Sequence, residues 1–167
     1  VLTCDLTNPD IAGDGRRPEI EHDQLHLRRS KFLRNGTCYE RITVRSYASE
    51  TLALDVELRF GADFADLFEV RGERRPRRGV QHRPETAADG VTLSYTGLDG
   101  KRRGTRLRFD PAPSRVSGDR AAFDLSLAPG ERRTILVETR CETEGMAEED
   151  APRQPARAAF LRALWED

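Results

Sequence analysis

The feature that most constrains this chain is an alternation of period two. In residues 51–60, Leu52, Leu54, Val56, Leu58 and Phe60 alternate with Ala53, Asp55, Glu57 and Arg59. Successive side chains on a strand point to opposite faces, so this pattern predicts a half-buried antiparallel strand. The same rhythm recurs along the chain. Residues 25–34 and 37–47 flank Asn35-Gly36, whose tolerance of positive φ suits a two-residue hairpin turn. Cys38, Ile42 and Val44 then share one face, with Tyr39 and Tyr47 on the other. Residues 91–95 read as a strand, Asp99-Gly100 as a second hairpin signal, and 105–109 as the returning strand. Residues 122–127 alternate through Phe123, Leu125 and Leu127; a turn at 128–131 leads into 133–141, with Ile135, Val137 and Cys141 on one face. Seven or eight short strands joined by Gly, Pro and Asn turns predict an all-β, two-layer antiparallel β-sandwich.

Two segments break the rhythm. In residues 62–68, Phe64, Leu67 and Phe68 stand at helical i, i+3, i+4 spacing, which predicts a short helical turn after the long strand. From residue 143 the chain is acidic and contains Pro152 and Pro155, a linker composition. Residues 156–165 then pair Phe160 with Leu164 and Leu161 with Trp165 at i, i+4, an amphipathic helix with little of the chain left to pack on. The expected division is a sandwich over 1–142, followed by a linker and short helix over 143–167.

With 167 residues the chain can form one domain burying roughly 68–70% of its unfolded surface. No apolar run approaches the ~20 residues of a membrane span. Residues 1–8 show no signal-peptide pattern, and the absence of an initial Met reads as a fragment. Cys4, Cys38 and Cys141 are odd in number and lack C-x-x-C spacing; they read as reduced, partly buried thiols of a cytoplasmic protein. The sequon Asn35-Gly36-Thr37 reads as a turn.

All but two of the 28 basic residues are arginine, but 29 acidic residues offset them. Six arginines against Glu73 between Arg71 and Arg83 make a local basic cluster. It lacks the interleaved aromatics of a nucleic-acid platform, so a solvated loop or a docking surface for an acidic partner is the better reading. His22 and His26 are four apart but flank a strand start, where that spacing does not converge on a metal. No serine lies in a G-x-S-x-G elbow. Asp63, Asp66 and Glu69 could approach one another on a helical turn, but glycosidase carboxylates face each other across a cleft, and helix-end electrostatics explains the cluster better. No catalytic residue, cofactor or metal ligand is therefore assigned.

The order of these segments resembles a known family. Leu6-Thr7-Asn8-Pro9-Asp10, then Leu25-His26-Leu27-Arg28-Arg29 with Phe32-Leu33, then Asp63-Phe64-Ala65-Asp66-Leu67-Phe68-Glu69-Val70-Arg71-Gly72 are similar to the N-terminal domain of bacterial glycogen debranching enzymes (amylo-α-1,6-glucosidase-like proteins). Tyr95-Thr96-Gly97-Leu98-Asp99-Gly100 and Leu127-Ala128-Pro129-Gly130-Glu131 continue the match, which spans roughly residues 1–142. The resemblance implies a β-sandwich preceding an (α/α)-barrel catalytic domain that carries the catalytic acids. It also implies that this chain lacks the first part of its domain. The resulting expectation is a non-catalytic accessory domain that packs on the catalytic domain of the same polypeptide and helps shape its glucan cleft. An independent carbohydrate-binding module is the alternative, disfavoured by the few aromatic residues (7%). Asp63, Phe64, Asp66, Phe68, Glu69 and Arg71 are the candidate interdomain or cleft-rim surface, with Phe64, Leu67 and Phe68 as an apolar anchor on one side of the turn.

Overall fold

A computed structural model describes residues 1–11, 20–34 and 36–143. Among these residues eleven antiparallel strands form two sheets, in keeping with the alternation. In chain order they are β1 (Leu2–Thr7), β2 (Leu25–Arg34), β3 (Thr37–Ser46), β4 (Leu52–Arg59), β5 (Val80–Gln81), β6 (Glu85–Ala87), β7 (Gly90–Thr96), β8 (Arg102–Asp110), β9 (Arg115–Val116), β10 (Arg120–Leu127) and β11 (Arg132–Thr143). The large sheet runs β1-β2-β3-β11-β8-β7-β5, with β6 also paired to β7; the small sheet is β4-β10-β9. The excess over seven or eight strands comes from β1 and from the short strands β5, β6 and β9, two or three residues each.

Along β4, even-numbered Leu52, Leu54, Val56 and Leu58 are buried or half-buried, while odd-numbered Ala53, Asp55, Glu57 and Arg59 are exposed. Opposite them, Phe123, Leu125 and Leu127 of β10 turn toward the large sheet, which contributes Ile42, Val91, Leu93, Leu107, Phe109, Ile135 and Val137. A second cluster of Ile20, Leu25, Val44, Ala48, Leu52 and Leu127 joins the first through Leu27 and Leu125, so the core is continuous. Phe109 is its centre, with its ring centroid 5.9 Å from both Phe60 and Phe123.

The β2–β3 hairpin has the predicted limits. Arg34 pairs with Thr37, and Gly36 takes φ 70°, the left-handed conformation the turn demands. The β7–β8 connection is longer than a two-residue hairpin: Thr96 pairs with Arg102, leaving a five-residue loop over 97–101 in which Gly100 has φ 74°.

The single helix among the described residues, α1 (Leu67–Val70), starts five residues later than the apolar spacing predicts. Asp66 sets its start: the side chain accepts from the Phe68 and Glu69 N–H groups, and the Glu69 carboxylate accepts from the Asp66 N–H. This reciprocal capping box fixes the first turn at Leu67 and excludes Phe64 from the helix. The apolar anchor expected on one side of the turn is divided accordingly. Phe64 alone packs against the core, whereas α1 buries none of its residues. The expectation of partly buried thiols is corrected for two of three cysteines: Cys4 and Cys141 are exposed and only Cys38 is half-buried, and all three are free. His22 and His26 bond separately to Asp10 and Asp5, each 3.0 Å away. The acidic linker and the helix expected over 156–165 lie outside the described residues.

Candidate functional site

After β4 the chain leaves the small sheet and crosses to the edge of the large one, where β5 pairs with β7. Three contacts tie this crossing to its destination. The Gln81 side-chain amide donates to the Ala62 carbonyl at 3.2 Å, the Arg78 guanidinium donates to the Asp63 carbonyl, and the Gly79 N–H donates to the Tyr95 hydroxyl at 2.6 Å. Between the crossing and the sheet lies a cleft of about 530 Å³. One wall is Phe64, Ala65, Asp66, Glu69, Arg75, Arg77 and Arg78; the other is Tyr95, the 97–99 turn, Arg103–Thr105 and the last residues of β11.

The register explains the second wall. Thr143 pairs with Arg103 and Arg103 with Tyr95, so three strands present neighbouring residues on the core-side face of the sheet. Phe64 lies parallel to the Tyr95 ring, centroids 5.3 Å apart and planes 11° apart. Its backbone is left-handed (φ 51°), rare for a bulky side chain; the Asp63 carboxylate accepts the Ala65 N–H at 3.0 Å across this bend.

Ion pairs surround the aromatic pair. Arg75 contacts Asp66 at 2.7 Å, Arg78 contacts Glu69 at 3.0 Å, and Arg103 contacts Asp99 at 2.7 Å. The Asp66 carboxyl is lowered, first by the backbone N–H of Glu69 and then by Arg75. Asp99 is held well below the usual carboxylate range by Arg103 and by the Lys101 N–H. Both are anions held by donors, not acids poised to give up a proton. Among the described residues no group of three or more His, Cys, Asp or Glu side chains could hold a metal ion.

Of the six sequence-selected residues, the cleft wall contains Phe64, Asp66 and Glu69; Asp63 supports it through its carbonyl and its Ala65 hydrogen bond. Phe68 and Arg71 are not part of the wall, and the Phe68 ring instead carries the Arg75 guanidinium 5.2 Å from its centroid. The basic loop, expected to be solvated or to dock an acidic partner, gives Arg75 and Arg78 to carboxylates of this same chain. Sequence reasoning missed Tyr95, Arg103, Thr105, Cys141 and Thr143 as cleft residues, because strand register alone brings them there.

The fold and the cleft define an all-β class: an antiparallel β-sandwich domain with a crossing segment that builds a polar cleft at one end of the large sheet. The chain belongs to the family of N-terminal domains of some glycogen debranching enzymes, whose family model matches residues 1–138. A kojibiose phosphorylase from the human microbiome has a similar structure (TM-score 0.55, 13% identity, 85% of this chain and 19% of that chain), which supports the fold alone. A polysaccharide lyase aligns less well (TM-score 0.45, 15% identity, 71% of this chain and 20% of that chain). The chain thus spans about a fifth of the length of these solved structures. No curated protein matches it. No helix among the described residues is long and apolar enough to cross a membrane.

Proposed function

We propose that this chain is a non-catalytic accessory domain of a glycoside-hydrolase-type enzyme, which docks on the catalytic domain of the same polypeptide through α1 and the adjoining 63–72 segment and helps shape the glucan cleft. The observation that carries this reading is the exposure of α1. Leu67, Phe68 and Val70 are 60%, 49% and 73% exposed, three large apolar side chains in a four-residue helix. Such clusters rimmed by charge are a hallmark of contact surfaces. Asp63, Asp66, Glu69 and Arg71 supply the charged rim. Membership of a family of N-terminal domains supports a partner domain in the same polypeptide. The resemblance noted from the sequence implies an (α/α)-barrel for that partner. Three free cysteines agree with a cytoplasmic setting.

The test is a Leu67→Ser, Val70→Ser double variant in a polypeptide that carries the catalytic domain. Glucan-hydrolysing activity per folded molecule should fall, or the two domains should melt separately, while the melting point of the 167-residue chain alone changes little. Unchanged activity and a single unchanged melting transition in the longer polypeptide would rule the surface out.

A further inference from the structure

We propose that the outer face of the large sheet, turned away from the small sheet, is a docking surface for a protein segment with spaced carboxylates, anchored by the neighbouring Arg45 and Arg132. This face lies on the other side of the sheet from Tyr95, Arg103 and Cys141 of the cleft. The proposal goes beyond the reading of α1 and does not rest on it.

The first argument is register. On β3, β8 and β11 the core residues Ile42, Val44, Leu107, Phe109, Ile135 and Val137 fix which positions point the other way. Over 37–45, 106–110 and 132–140 those positions carry Arg41, Arg45, Arg106, Arg108, Arg132 and Arg140, against the carboxylates Asp110 and Glu138. The whole chain has a formal net charge of −1, so this face concentrates positive charge that the composition hides. Arg45 stands directly opposite Arg132, and Arg140 directly opposite Arg106. Like charges so placed oppose strand pairing. Departures of this kind from local consistency gather at functional surfaces.

The second argument is what these side chains touch. Arg45 and Arg132 are exposed, and neither forms an ion pair among the described residues. The Arg45 guanidinium lies 5.0 Å over the ring of Tyr47, which is itself 58% exposed. Beside them on the same face the Thr43 and Thr134 hydroxyls are 3.3 Å apart. Exposed Arg and Tyr are the residue types that dominate the energy of protein contacts. Further along, Arg108 reaches Asp89 only at 3.6 Å and Arg106 reaches Glu142 only at 3.9 Å, too far for a hydrogen bond.

Magnitudes and spacing decide the partner. One exposed ion pair contributes little, so a small anion on Arg45 and Arg132 alone would dissociate readily. Several carboxylates must bind at once. A nucleic acid would bring phosphates against Asp110 and Glu138 as well, and the aromatic rings of this face, Phe32 and Tyr39, stack on each other at 5.0 Å instead of standing open to bases. Spaced carboxylates meet neither obstacle, and guanidinium forks match them. Arg41 and Arg45 are four residues apart on β3, roughly 13 Å along the strand, which is the interval between every fourth residue of an extended segment laid beside it.

The experiment titrates the 167-residue chain with an end-blocked Ser/Gly peptide carrying Glu at every fourth residue, following backbone amide and arginine side-chain shifts by NMR. The same peptide with Gln for Glu, and oligothymidylate, are titrated in parallel. The Glu peptide should give saturable shifts at Thr43, Arg45, Arg132 and Thr134 that weaken as salt is raised, and the other two should bind more weakly or not at all. Arg45→Gln combined with Arg132→Gln should weaken binding about fivefold or more. It should also leave the melting point equal or higher, because it relieves two opposed charges. No saturable shifts at this face, equal binding of the Gln peptide, tighter binding of oligothymidylate, wild-type affinity in the double variant, or a melting point lowered by it would overturn the proposal. So would shifts of the same residues on diluting the chain alone, or on combining Glu148→Gln, Glu149→Gln and Asp150→Asn, since a second copy or the chain's own acidic residues would then hold the face. None of these results bears on α1, whose docking is read in the longer polypeptide.

Discussion

Phe109 is the largest of the fully buried side chains. It is 1% exposed, bridges Phe60 from the end of β4 and Phe123 from β10, and so touches both sheets. Phe109→Ala should lower the unfolding free energy by about 3–5 kcal/mol in urea titrations, since neighbours on two sheets cannot both collapse into the void. A loss under ~1 kcal/mol would mean the sheets are not packed through this ring. Gly79 makes the opposite kind of demand. A Cβ there would fall on the Thr96 carbonyl, and the Gly79 N–H must reach the Tyr95 hydroxyl. Gly79→Ala should therefore destabilise the chain by roughly 1–3 kcal/mol, as overpacked sites do, and shift the Tyr95 ring resonances. A variant as stable as the parent with unmoved Tyr95 signals would contradict the close approach.

Turns and caps carry the electrostatics of the elements. Arg120, followed by the Ser117 hydroxyl, holds Asp119 down to about 2 in the β9–β10 turn, and Arg103 lowers Asp99 in the β7–β8 loop. An unfolded aspartate titrates near 3.9, so each folded carboxylate sheds its proton more readily than the unfolded one. The stability they add is complete above about pH 4 and is lost as pH falls through the folded values. Urea midpoints should hence decline between about pH 4 and pH 2, and Asp119→Asn should flatten part of that decline. A midpoint that rises on acidification would contradict the assignment. In α1, Asp66→Ala removes the cap and should speed amide exchange at Phe68 and Glu69, whereas Asp66→Asn, also a good cap, should largely retain protection.

The same elements show what could be read in advance. The β2–β3 hairpin was legible because Asn35-Gly36 and the flanking alternation are both local signals. The strand β1 is not legible in the same way: Leu2, Cys4 and Leu6 alternate with Thr3, Asp5 and Thr7, but the stretch is short and exposed on both faces, so no contrast between an apolar and a polar face marks it as a strand. For α1 two local signals competed: Phe64, Leu67 and Phe68 mimic a helical stripe, while Asp66 and Glu69 carry the capping-box spacing that actually sets the start. The cleft was legible on one wall only. Its other wall depends on the register Tyr95–Arg103–Thr143, which no local pattern encodes.

At the scale of the whole molecule, a sandwich with one continuous core presents α1 as an apolar projection that is exposed among the described residues. The account requires another domain to cover it. The direct measurement is hydrogen–deuterium exchange and side-chain labelling of residues 63–72, compared between the 167-residue chain and the longer polypeptide that carries the catalytic domain. The account predicts slower exchange at 66–72 and reduced carbene labelling of Leu67, Phe68 and Val70 in the longer polypeptide, with the outer strands unchanged. Equal exchange and equal labelling in the two, or protection confined to a surface remote from α1, would contradict it.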